Sequence, residues 1–195
     1  MKKHIRIEES YLRSKMLKEF KSIDNLRFLS LIVHQYVEYF LNELIVKNVK
    51  NPELIIDDRE LGTFFKKFTI LKAIGLFDRR PDVLRNIEVI MKVRNYYAHN
   101  MMTDNKIPRL IIDKILTMAL PKKVHETIRN GKQVPDDIIN ALKKMKVPEG
   151  YVDEGEGKYL TLFIGPIDET NEYSIIAPFI VGSILTIESL KYLSV

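Results

Sequence analysis

Residues 94–100 read Arg-Asn-Tyr-Tyr-Ala-His-Asn, and they follow directly on an apolar helical stretch. These residue types suit phosphoryl transfer. A histidine titrates near neutral pH and moves protons in either direction. An arginine keeps its charge and matches phosphate oxygens with a planar fork. In RNA the 2′-hydroxyl is an internal nucleophile beside the scissile phosphate. His99 can take its proton or protonate the leaving 5′-oxygen, while Arg94 stabilises charge on the phosphate. Asn95 can orient either group, Tyr96 and Tyr97 can stack on bases, and Asn100 is a further candidate substrate contact. A plainer reading is that Arg94 and His99 cap a helix C-terminus, which favours cations.

The spacing constrains how the two can meet. Five residues on an ideal helix turn through about 140°. Arg94 and His99 therefore converge only if the helix ends between them or if a second copy of the chain supplies one of them.

Several elements must position this stretch. Apolar residues over 23–50 recur at helical spacing (Leu26, Leu29, Val33, Tyr36, Val37, Phe40, Leu44), and Asn51-Pro52 ends the run. Phe64, Phe65, Phe68, Leu71 and Ile74 predict a second helix over 60–75, with Gly75 as its stop. Pro81 suits the first turn of a third, whose buried stripe is Leu84, Ile87, Ile90 and Met91. A fourth spans Pro108 to Ala119. On the first helix, His34 and Glu38 lie one turn apart and share a polar line with Arg27 and Asn42. They are candidate substrate contacts near the motif, against the simpler reading of a solvated face or an internally satisfied pair.

Beyond Pro121 the pattern changes. Residues 122–147 read as two short lysine-bearing helices, "PEGYVDEGEGK" as an acidic loop, and "YLTLFIG", 159–165, as the one strong strand candidate. A final helix is expected over about 172–193, with Pro178 marking its first turn or a kink. The expected fold class is mainly α, an antiparallel four-helix bundle over 1–120 with a small C-terminal αβ extension over 121–195 packed on it.

Composition narrows the function classes. The 195 residues carry no cysteine, which excludes disulfides, thiolate nucleophiles and thiolate metal sites and fits a reducing cytoplasm. The scattered histidines, such as His4 and His125, have no partners at ligand spacing, so neither a metal site nor a cofactor is expected. The carboxylates of "IIDDRE", 55–60, read as helix capping rather than a Mg²⁺ site. The longest apolar run, "IIAPFIVGSILTI", is shorter than the roughly 20 residues a membrane span needs, so no membrane partner is expected. Residues 1–148 hold 29 basic against 18 acidic side chains, a net of +11; residues 149–195 hold 2 against 8, a net of −6. Such a basic body suits a polyanion, or the two parts attract each other.

"RNYYAHN", preceded by "VLRNIEVIMKV", resembles the signature of the HEPN superfamily: an Arg, four to six residues, then a His, often with a polar residue directly after the Arg. Arg94, Asn95 and His99 match it, and the resemblance covers about residues 20–120. The segment from "FFKK" through "AHN" is also similar in layout to the mannitol operon repressor branch. The resemblance implies a helical bundle that dimerises and brings two motifs into one cleft. It implies a metal-independent ribonuclease of a toxin–antitoxin, defence or stress system, with RNA as substrate and an antitoxin-like protein as a further partner. The alternative it implies is a non-catalytic regulator or scaffold. One departure stands out: toxins of this kind paired with nucleotidyltransferase antitoxins carry a Tyr two residues after the motif His, where this chain has Met101.

Overall fold

The computed structural model describes residues 8–23, 25–100, 108–119 and 173–193, and all regular structure among them is helical. The elements are α1 (Glu9–Ser22), α2 (Leu26–Asn48), α3 (Glu53–Ile56), α4 (Phe64–Ala73), α5 (Pro81–His99), α6 (Arg109–Ala119) and α7 (Tyr173–Leu190). The short helices expected over 122–147, the acidic loop and the 159–165 strand lie outside the described residues.

Each boundary has a local cause. Asn25 caps α2 by accepting the Phe28 N–H at 3.2 Å. Gly75 takes φ of +78° after α4 and closes it, with its N–H on the Lys72 carbonyl at 3.0 Å. At the head of α5, Pro81 occupies the first turn. Beside it the Arg80 fork grips Asp82, Nε to Oδ1 at 3.0 Å and Nη2 to Oδ2 at 2.8 Å. That pairing holds the Asp82 carboxyl below its ordinary range.

The core is one cluster to which α1, α2, α4, α5, α6 and α7 all contribute. Arg27, at the start of α2, donates to the Asn100 carbonyl just past α5, so α2 and α5 run antiparallel. Arg80, just before α5, reaches the Ser189 hydroxyl near the end of α7 at 3.1 Å, which sets α7 antiparallel to α5 as well. α7 packs most extensively on α6 and also lies against α2 and α5. The sequence pattern expects the last helix in the 121–195 extension, packed on the bundle. In the fold, Phe179, Ile184, Ile187 and Leu190 of α7 are as fully buried as any residue of α2.

α7 runs through Pro178 rather than starting at it. Its buried hydroxyls are satisfied within the helix: Ser183 donates to the Phe179 carbonyl at 2.6 Å and Thr186 to the Gly182 carbonyl at 2.7 Å. No helix among the described residues is long and apolar enough to cross a membrane.

The sequence reading gave no helix over 9–22. Leu12, Met16 and Phe20, spaced by four, form a narrow apolar stripe that docks on α2. The Phe20 ring meets Tyr36 edge-on at 5.7 Å, and the Tyr36 hydroxyl donates to Glu19 at 2.8 Å. Burial, then that bond, pushes the Tyr36 phenol well above its usual range.

α6 and α7 approach closely at Gly182. A Cβ added at Gly182 would lie 2.6 Å from the Met118 Cβ. Gly182→Ala is therefore expected to lower unfolding stability by about 1–3 kcal/mol through overpacking, measured by urea denaturation. An unchanged midpoint would mean that the two helices stand further apart than this.

Candidate functional site

The last two turns of α5 carry the candidate pair, and α5 is continuous through both. The helix ends only at Asn100, whose N–H and side-chain Nδ2 both bond the Tyr96 carbonyl, at 3.0 and 2.8 Å. No break between Arg94 and His99 brings them together, so the angular separation of about 140° stands within one chain. His99 is exposed at the last helical position. Arg94 is half-buried on the side that faces His34 of α2.

Arg94 is an under-satisfied cation. Among the described residues its one hydrogen bond is from Nη1 to the Asn95 Oδ1 at 3.2 Å. Its Nε is shielded from solvent and has no partner among the described residues. A guanidinium in a structural role normally meets a carboxylate or backbone carbonyls, and leaving a buried donor unpaired costs about 1–3 kcal/mol. Such an arrangement is what an anion-binding arginine shows before its anion arrives.

Beneath Arg94 lies a polar cluster. The His34 imidazole stacks on the Phe64 ring, centroids 4.0 Å apart and 25° between planes. Glu38, one turn on, accepts from Lys67 Nζ of α4 at 2.9 Å. Lys67 is only 4% exposed, so Glu38 is what makes its burial tolerable. Burial lowers the proton affinity of His34; Glu38 opposes this and Arg94 adds to it. His34 is thus held toward its neutral form beside the guanidinium.

The remaining candidates divide. Asn95 is exposed and Tyr96 half-buried. Tyr97 is a core residue, 7% exposed, with its ring edge-on to Tyr96 at 5.3 Å and the Arg27 guanidinium 5.9 Å from its centroid. Tyr97 thus anchors the helix end against α2, and its ring is covered. Asn100 terminates α5. The structure brings Arg94, Asn95, His34 and Glu38 into one corner and turns His99 away from it.

Lys67 and Phe64 were not singled out from sequence, although a signal existed. Phe64, Lys67, Phe68 and Leu71 fall on one face of α4, so Lys67 occupies a core position in an apolar stripe. Asp58, from the acidic stretch before α4, accepts the N–H groups of Glu60 and Leu61, which lowers its carboxyl. Among the described residues no three carboxylate or imidazole groups converge as a metal site would require.

Comparison with known proteins returns no match, whether to a family model, a characterised protein or a solved structure.

His34 yields a pH prediction. Its folded-state proton affinity is depressed, so as pH falls the unfolded chain takes up this proton first. Its contribution to stability is then present above about pH 6.5 and is lost on acidification below it, until the folded imidazole also protonates. Denaturant midpoints from pH 7.5 to 5 should fall less steeply for His34→Gln than for the wild type. Identical slopes would show that His34 is not held neutral.

Proposed function

We propose that this chain is a metal-independent endoribonuclease of HEPN type, active as a homodimer in which Arg94 and His99 of two copies share a cleft. The observation that carries the reading is the under-satisfied guanidinium of Arg94, with exposed Asn95 and His99 on the same two turns. In the reaction the RNA 2′-oxygen attacks the adjacent phosphorus and the bond from phosphorus to the 5′-oxygen breaks. The 2′-hydroxyl proton passes to a base and the leaving oxygen gains one. His99 serves one or both transfers, and Arg94 offers Nη and Nε donors to the non-bridging oxygens, where charge accumulates. The products are a 2′,3′-cyclic phosphate and a 5′-hydroxyl. A toxin, defence or stress role, with an antitoxin-like protein partner, would follow from uncontrolled RNA cleavage being harmful to its host.

The divergence of Arg94 and His99 on one helix supports a second reading, a non-catalytic HEPN regulator or scaffold whose Arg94 binds an anionic partner. The two readings separate in a cleavage assay with purified protein, structured and unstructured RNA, and excess EDTA. The ribonuclease reading expects wild-type cleavage with cyclic-phosphate ends. His99→Ala should reduce the rate about 10²–10⁴-fold and Arg94→Ala about 10²–10³-fold. Cleavage equal in all three proteins would remove both residues from the chemistry. RNA binding without cleavage would select the regulator.

A further inference from the structure

We infer that the outer face of α5, joined by Lys114 of α6, is a track for the phosphates of single-stranded RNA that leads to His99; this rests on the ribonuclease reading above. Arg85, Lys92 and His99 follow one another at seven-residue intervals and all three are exposed. Seven residues drift only about 20° around a straight helix, so the three form a nearly straight stripe. Each interval advances about 10.5 Å, which gives a cationic edge on the order of 20 Å long.

The neighbouring helix doubles the charge at the centre of the stripe. α6 packs on α5, and the Lys92 charge acts directly on Lys114 across that contact. Two ammonium groups have donors only and repel each other. Among the described residues neither meets a carboxylate: Glu88, which shares this face, is held by Lys72 of α4 at 3.8 Å. Partial burial and the nearby Lys92 charge both weaken the proton affinity of Lys114. Folding has thus brought two like charges together at the surface, and no carboxylate among the described residues neutralises them. An oxyanion placed between them would accept from both and relieve the repulsion. A phosphodiester backbone offers one such anion at every step, and a stripe ending on an exposed imidazole would align that backbone with a proton-transfer group.

The track is distinct from the Arg94 corner, since Arg94 lies on the opposite side of α5 from Lys92, and it is testable without catalysis. Anisotropy of a fluorescein-labelled oligouridine would be followed across a salt series, using the full chain carrying His99→Ala so that RNA stays intact. Adding Lys92→Gln and Lys114→Gln should weaken binding about tenfold at low salt and reduce the slope of log affinity against log salt by about 1.4, near 0.7 for each lost contact. Lys92→Arg with Lys114→Arg should retain both affinity and slope. The paired Gln variant should be at least as stable as its parent, because it removes a repulsion. Unchanged affinity and slope in the Gln variant would overturn the track, while wild-type cleavage would leave the ribonuclease reading standing. Failure of the parent to bind RNA at all would overturn both.

Discussion

α5 is one uninterrupted helix from Pro81 to His99, and that constraint governs how the chain can act. A helix with 3.6 residues per turn cannot present side chains five apart on one face. Continuity is enforced at both ends. Arg80 and Asp82 lock the first turn, and Asn100 closes the last with two bonds to the Tyr96 carbonyl. Between them Val83, Ile87, Ile90, Val93 and Tyr97 are buried, so the helix cannot rotate about its axis without exposing its core stripe. Arg94 is therefore committed to the side toward His34 of α2, and His99 to the outside. The two side chains diverge on this one helix, which is why the proposal pairs them across two copies.

The corner around Arg94 is held by charges that fold into low-dielectric surroundings only because they are matched. Lys67 is almost wholly buried and relies on Glu38; the pair ties α4 to α2 at the level where His34 stacks on Phe64. Removing one partner of such a pair costs more than replacing both, because an uncompensated buried charge remains. The matching stops at Arg94. Toward α2 it meets His34, whose cationic form is disfavoured, so its guanidinium keeps donor capacity. A scaffold that satisfies Lys67 and Arg80 fully but leaves Arg94 short is consistent with reserving that charge for a ligand.

Much of this architecture was legible in the residues. The periodicity of Leu26 through Leu44, the stops at Pro52 and Gly75, and Pro81 at a first turn gave α2, α4 and α5 within a few residues. The helical class followed from them. α1 was not legible because its stripe is only one residue wide per turn, Leu12, Met16 and Phe20, among charged neighbours. Which helices cover α7 was not legible either. Periodicity says that a helix is apolar all round but not which helices cover it, and α6 and α2 lie far from it in sequence. At the site, Arg94, Asn95 and His99 were marked by residue type and spacing. The role of Lys67 was hidden because a lysine in an apolar stripe acquires meaning only once Glu38 is seen opposite. The readings made for residues 120–172 concern chain outside the described structure.

The central claim is that Arg94 of one copy works with His99 of another. Mixing the Arg94→Ala and His99→Ala proteins under conditions that allow subunit exchange tests it most directly, because a dimer with one chain of each kind holds one intact composite site. With random pairing, half the dimers are mixed and one of their two sites is intact. RNA cleavage should return to roughly a quarter of the wild-type level although neither variant cuts alone. A mixture that exchanges subunits, as shown by differently tagged chains purifying together, yet stays inactive would contradict a site shared between copies.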